Sequence, residues 1–175
     1  MDLKNKDEPV LEPLLRQIRF GVAKSLLENI LIKDSLVLDY GCGPEGKFYK
    51  YLKKNKIPFK KYIGYDPLSK DEIMSKDVLI TADFKKIMNL KYDLITMFAV
   101  LEHLDYPYFD FSFLNKIMKR NGYLILTTPT KSAKFILEFL SYKLGMVSER
   151  EIEEHKHYFS VSEIASLFKK YGFKV

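Results

Sequence analysis

The sequence predicts an α/β domain: a doubly wound, mostly parallel sheet with helices on both faces. Three observations carry this. Five short apolar runs, at residues 36–38, 62–65, 78–81, 92–98 and 123–128, alternate with segments of helical character. Strands and helices alternating at that spacing call for right-handed crossovers into a parallel sheet. The first run passes at once into a glycine-rich turn, Asp39-Tyr40-Gly41-Cys42-Gly43-Pro44-Glu45-Gly46. Asp39, Asp66, Asp83, Phe98 and Pro129 all fall at the carboxyl ends of the runs, the rim where such sheets bind ligands.

The chain has 175 residues, 47% of them hydrophobic and 30% charged, which bounds it to one globular domain with a core of its own. An arm and a helix occupy residues 1–35, and the ligand-binding domain runs over 36–175 with an insertion at 130–154. The net charge is +6 and the pI about 9.1. The lysines are dispersed rather than clustered, which describes a solvated surface better than a nucleic-acid face. Cys42 is the sole cysteine and forms no intramolecular disulfide, as expected of a reducing compartment. With no signal-like segment and no membrane-length apolar run, the expected location is cytoplasmic.

Taken in order, residues 1–12 are polar and form an irregular arm. From Pro13 to Ile32, Leu14, Ile18, Val22, Leu26 and Ile30 recur at four-residue steps, with Leu15, Phe20, Ala23 and Leu27 widening the stripe into an amphipathic helix. Leu36, Val37 and Leu38 make a strand buried on both faces. Helix follows from Lys47 to Lys54, then a second strand ending at Asp66-Pro67. Asp66 lies 20 residues beyond Gly46, where a carboxylate accepts two hydrogen bonds from a ribose diol. The third strand, Val78–Thr81, leads to a short helix, Phe84 to Met88, that Asp83 is placed to cap. A fourth strand runs from Tyr92 to Phe98, and a helix from Tyr108 to Lys119. Asn121-Gly122 then turns the chain into a fifth strand, Tyr123 to Thr128.

Taken literally, Gly41, Gly43 and Gly46 satisfy the dinucleotide fingerprint, which admits a nicotinamide-dependent oxidoreductase. Asp39 weighs against that, since a carboxylate at the strand's end repels a pyrophosphate and attracts an ammonium or sulfonium. Asp39-Tyr40-Gly41-Cys42-Gly43 resembles the first motif of the class I S-adenosylmethionine-dependent methyltransferases, an apolar strand followed by D-x-G-x-G. Glu45 stands where many members carry a further glycine. The segment from Tyr92 to Leu104, YDLITMFAVLEHL, resembles the fourth-strand motif of small-molecule methyltransferases such as those of quinone biosynthesis. It lacks the Asn/Asp-Pro-Pro-aromatic motif of enzymes that methylate amino groups of DNA and protein.

The resemblance, which spans Leu36 to Val175, implies a Rossmann-like fold and S-adenosylmethionine as cofactor. It places Asp39, Tyr40, Gly41, Gly43, Asp66, Pro67, Asp83, Phe84, Phe98 and Glu102 around that cofactor, with Asp83 and Phe84 at the adenine. It also implies methyl transfer to a small-molecule acceptor, most simply at an oxygen, and the apolar stripe of the insertion adds the expectation of an acceptor that is apolar or lipid-linked. The alternatives kept open are a catalytically silent cofactor-binding module, an RNA methyltransferase and the oxidoreductase.

The insertion at 130–154 carries an apolar stripe of Phe135, Ile136, Phe139, Leu140 and Leu144 beside Lys131, Lys134 and Lys143, with Gly145 as its C-cap. That pattern suits a core contact, a lid over an apolar acceptor or a peripheral membrane contact. His155, His157 and Tyr158 follow in a segment resembling one that lines the substrate pocket of many small-molecule methyltransferases, which makes them, with His103, the candidates for orienting or deprotonating the acceptor. His155 and His157 lack further ligands at metal spacing, so no metal is expected. Ser160 and Glu163 form a capping box for a helix through Tyr171, and Phe173 to Val175 begin a sixth strand. The antiparallel hairpin strand with which this class usually ends is missing. The fifth strand is therefore left with an open edge, and a homodimer is one expected cover for it.

Overall fold

The computed structural model describes residues 11–30, 33–142 and 155–175. The elements are α1 (Glu12–Ile30), β1 (Leu36–Tyr40), α2 (Lys47–Lys54), β2 (Lys61–Tyr65), β3 (Glu72–Ser75), β4 (Val78–Thr81), α3 (Phe84–Met88), β5 (Tyr92–Phe98), α4 (Ser112–Ile117), β6 (Met118–Thr127), α5 (Lys131–Tyr142) and α6 (Val161–Lys170). The six strands form one sheet in the order β3-β4-β2-β1-β5-β6. Every neighbouring pair is parallel except β3 and β4. The chain winds outward from β1 through β2 to β4, then returns to β5 on the other side of β1. That reversal opens a crevice at the carboxyl ends of β1 and β5.

Alternation along the strands divides the core in two. On one face Val37 and Leu94 pack with Phe20, Ala23 and Leu27 of α1 and with Phe48, Tyr51 and Leu52 of α2. On the other, Leu38, Ile63, Ile95 and Met97 pack with Ile87 of α3, Leu114 of α4 and Phe168 of α6. Helices cover both faces, as the doubly wound reading requires. The capping box of α6 is present, Ser160 accepting from the Glu163 amide and the Glu163 carboxylate accepting from Ser160 N.

Several expectations are corrected. In α1 the four-residue stripe is the outer face, with Leu14, Ile18, Val22 and Leu26 more than half exposed, while Phe20, Ala23 and Leu27 are buried. A four-residue step overshoots one helical turn by about 40°, so a stripe built from such steps winds around the helix. The buried set, with steps of three and four, stays on one face. The antiparallel edge strand β3 was not expected. All four of its residues are exposed, so it has no buried face to impose a pattern.

The helix expected from Tyr108 to Lys119 contracts to Ser112–Ile117, because strand pairing already begins at Met118. The register then jumps from Tyr92↔Met118 to Leu94↔Tyr123, so the expected Asn121-Gly122 turn is a break within β6. A Cβ on Gly122 would stand 2.9 Å from the Tyr92 carbonyl oxygen.

Phe173 to Val175 form no strand. Gly172, at φ +87°, and Phe173 instead close α6, their amides bonding to the carbonyls of Lys169 and Phe168. The Phe173 ring rests 5.6 Å from that of Phe168, completing a Schellman motif.

β6 lies at an edge of the sheet, and among the described residues it is followed only by a bridge between Thr130 and Phe159. The first part of the expected insertion forms α5, tied to α6 by Lys131 and Glu163 at 2.5 Å. Leu144, Gly145 and the side chains of Phe135 and Ile136 lie outside the described residues, as do the arm over 1–10 and Ile32 at the expected end of α1. No described helix is long and apolar enough to cross a membrane.

Candidate functional site

A cavity of about 910 Å³ opens at the carboxyl ends of β1, β2 and β5, with the N-terminal half of α1 as one wall. This volume suits a nucleoside-sized ligand and a second small molecule together.

The glycine loop after β1 builds one end. Gly41, Gly43 and Gly46 all have positive φ, at 79°, 66° and 57°. A Cβ on Gly41 would approach the Val100 Cγ2 to 2.3 Å, whereas one on Gly43 would meet nothing within 4 Å. Gly41 is thus required by packing against the next loop, and Gly43 leaves open space facing the cavity. The Asp66 carboxylate accepts from the Gly43 amide at 3.0 Å and from the Leu68 amide at 2.9 Å, joining the β1 and β2 loops.

Asp39 lies beneath this loop, 2% exposed. Its carboxylate accepts from the Tyr62 hydroxyl at 2.6 Å and the Thr96 hydroxyl at 2.7 Å. Burial, with the nearby Asp66 charge adding to it, still pushes its pKa up to about 6 against those two bonds. Desolvation wins because hydroxyl donors replace only part of the water that a carboxylate loses.

The other end is assembled from segments far apart in sequence. β5 is followed by Ala99, a non-glycine residue at φ +55° whose amide bonds to the Thr127 carbonyl. This turns the chain into a short 3-10 segment, Leu101–His103. Glu102 is 1% exposed. Its carbonyl accepts from the Lys156 and His157 amides at 2.8 and 3.4 Å, which docks the 155–157 backbone beside it. The rings of His103 and His155 stand 5.0 Å apart, and His155 Nδ1 is 3.1 Å from the Tyr158 hydroxyl. Burial pushes the Glu102 carboxyl above the usual range, opposed by its own backbone amide and by the charges of His103 and Arg19. Its Oε2 atom makes no hydrogen bond.

Of the residues the sequence singled out, Asp39, Tyr40, Gly41 and Gly43 line the cavity at the loop end. Asp66, Pro67 and Phe98 line it as well, and Glu102, His103 and His155 meet at its far end. Four do not line it. Asp83 caps α3 by accepting from the Lys85 amide, and Phe84 packs between Tyr65 and Phe113. The His157 ring packs against Tyr106 and Phe159, and the Tyr158 hydroxyl serves His155.

Sequence reasoning missed Leu68, which lines the cavity and is 87% exposed. The available signal was an apolar residue directly after Asp66-Pro67 in a polar stretch. Glu12, Leu15, Arg16 and Arg19 of α1 also line the cavity, and none of them was singled out as a site residue.

Over residues 15–175 the chain matches the family model described as a methyltransferase domain. A search of curated proteins finds no match. Among solved structures, the plantazolicin methyltransferase BpumL in complex with SAH superposes with a TM-score of 0.63 at 14% identity, covering 92% of this chain and 66% of that one. A SAM dependent methyltransferase from Archaeoglobus fulgidus gives 0.59 at 20% identity, covering 93% and 75%. A methyltransferase solved with the Haloferax volcanii Trm112 methyltransferase activator gives 0.63 at 14%, covering 91% and 71%. At such identities the likeness establishes the fold. The chain spans about two thirds of the length of BpumL, 66%.

Proposed function

Because the chain belongs to the methyltransferase domain family, we propose that it binds S-adenosylmethionine at the glycine loop and methylates an oxygen of a small-molecule acceptor. The observation that carries this is a single cavity joining Asp39, Gly43 and Asp66 at one end to Glu102, His103 and His155 at the other.

The residues present fit the cofactor. Gly43 leaves open the space into which a Cβ would point, where a ligand can approach the backbone. Asp39 and Asp66 give this end the negative potential that suits an ammonium and a sulfonium, and Asp66 retains lone pairs for a ribose diol beyond its two amide bonds. Leu68 and Pro67 supply apolar surface beside it. The chemistry that S-adenosylmethionine supplies when bound is an electrophilic methyl, which an acceptor oxygen takes as the carbon–sulfur bond breaks with its electrons staying on sulfur.

The chain's own work is to hold the acceptor in line and let its hydroxyl lose a proton. Of the groups able to assist at the acceptor end, Glu102, His103 and His155 line the cavity, and the role is assigned to them. Tyr158 is a positioning residue for His155. Leu15, Ile18, Leu104 and Pro129 wall the same end, supporting an acceptor with an apolar body.

Isothermal titration with S-adenosylhomocysteine tests the cofactor half of this reading, and absence of binding would refute it. His155→Ala is expected to lower turnover by roughly 10²–10⁴ with cofactor affinity unchanged. Unaltered turnover would remove the cluster from the reaction.

A further inference from the structure

Glu102 is a buried carboxylate with one oxygen that the fold leaves unpartnered. It is 1% exposed, and its Oε2 atom lacks a hydrogen bond. Beside it stand two imidazoles, and one ligand atom from each of Glu102, His103 and His155 lies within 4.8 Å of the other two. We propose that these three side chains hold a divalent transition-metal ion, Zn²⁺ in the first instance, whose open positions take two neighbouring oxygens of the acceptor.

The donor set supports this assignment. Two neutral imidazoles and one carboxylate are a catalytic-type set for such an ion, leaving positions for water or substrate. A doubly charged ion gives the Glu102 Oε2 atom the partner it lacks, and with two neutral histidines it leaves a net positive centre at the acceptor end.

The framework is fixed in advance. Glu102 and His103 are adjacent on the 3-10 segment, and main-chain bonds from Lys156 and His157 to the Glu102 carbonyl hold the third ligand's segment in register. The Tyr158 hydroxyl lies 3.1 Å from Nδ1 of His155 and fixes the ring as outer partners of metal ligands do.

Sequence spacing did not point here. It offered His155 and His157, whereas the fold turns His157 toward Tyr106 and Phe159 and brings in Glu102 and His103 instead.

The inference deepens the acceptor-site reading above and rests on it. The ligand class it implies is an acceptor with a vicinal oxygen pair, such as a catechol or an α-hydroxycarbonyl. On binding, the O–H bond of one hydroxyl breaks heterolytically, its electron pair stays on oxygen as a metal-bound oxyanion, and the proton passes to solvent water. The three side chains thus promote the proton's loss through the ion they hold, in place of acting as free bases.

The test uses the untagged chain, stripped with a chelator and titrated with Co²⁺, whose visible d–d absorption reports its ligands directly. Expected are one ion per chain, bands of a four- or five-coordinate site, and displacement by Zn²⁺. His155→Ala and Glu102→Gln should each weaken Co²⁺ binding by about 100-fold, while His157→Ala leaves it unchanged. His155 is only half-buried, so that variant keeps the test sound if Glu102→Gln fails to fold. No binding to the wild type, or binding lost in His157→Ala and kept in Glu102→Gln, overturns the proposal. S-adenosylhomocysteine affinity is measured beside it, with and without chelator, and is expected to be equal in both. If it binds while Co²⁺ does not, the metal site falls and the methyltransferase reading stands. If Co²⁺ binds as expected and S-adenosylhomocysteine does not, the cluster is a metal site and the cofactor assignment is what fails.

Discussion

The two ends of the cavity are built by opposite means. At the end proposed for the cofactor, residues 39 to 68 follow one another closely, and the shape comes from backbone: positive-φ glycines and a carboxylate accepting from two main-chain amides. At the acceptor end, α1, the segment after β5 and residues 155–156 meet from far apart in sequence, and the shape comes from side chains. A site made from contiguous backbone is constrained by fold geometry and tolerates few residues. A site made from distant side chains can change its chemistry while the sheet stays the same.

The strongest way to break this contrast is at the glycines. Gly41→Val places its Cβ 2.3 Å from Val100 Cγ2 at a φ of 79°, combining overpacking with backbone strain. A loss of about 3–5 kcal/mol in urea unfolding is expected, a large part of a domain's stability. Gly43→Ala meets no atom and should cost about 1 kcal/mol, yet it fills space meant for the cofactor and so weakens binding. Equal stability losses in the two variants would dissolve the distinction between a packing glycine and a ligand glycine.

The same contrast explains what the sequence revealed. The glycine loop, Asp39 and Asp66 were legible because local rules specify them: an apolar run, residues that accept positive φ, an acid at a fixed distance. The acceptor end was half legible. His103, His155 and Glu102 were named separately, but nothing in one dimension says that Glu102 accepts from the 155–157 backbone or that His157 turns toward Tyr106. The outward face of α1 was misread for a different reason: its inner face holds only Phe20, Ala23 and Leu27 in these turns, fewer apolar residues than the stripe outside. Asp83 and Phe84 were placed at the adenine by resemblance alone, and here they serve a cap and an aromatic cluster.

A second expected effect comes from Asp39. Its folded pKa is raised from 3.8 to about 6, so between those values the folded protein holds a proton that the unfolded chain has released. The stability contributed by that proton is fully present below pH 3.8 and is lost as the pH rises through 6. The loss amounts to at most about 3 kcal/mol. A cation bound nearby favours the ionised form, so cofactor affinity should rise with pH through 6, at most tenfold per unit. Asp39→Asn should flatten both profiles, and a pH-independent affinity in the wild type would remove Asp39 from the cofactor's electrostatics.

Asp66→Ala is expected to weaken S-adenosylhomocysteine binding by about 1.5–3 kcal/mol in calorimetry, since it removes a charged acceptor from the ligand and leaves two loop amides without theirs. If the loop is preorganised by its glycines alone, only the ligand's share is lost and the effect sits at the low end. If Asp66 also holds the loop, the amide exchange of Gly43 and Leu68 should speed up in the same variant.

The smallest effect concerns α1, where one helix presents a core face and a solvent face. Val22 is 70% exposed and Leu26 54%, so Val22→Ser or Leu26→Ser should shift unfolding free energy by no more than about 0.5 kcal/mol. A reading that puts the four-residue stripe in the core expects several times that. Ile18 separates burial from function on the same stripe. It is 53% exposed yet lines the cavity, so Ile18→Ser should be as silent as Val22→Ser in urea. In turnover it should raise KM severalfold with kcat held, because an apolar wall binds substrate and transition state alike. If Ile18→Ser changes stability but not KM, α1 is only a support for the sheet, and the acceptor end is closed by other residues.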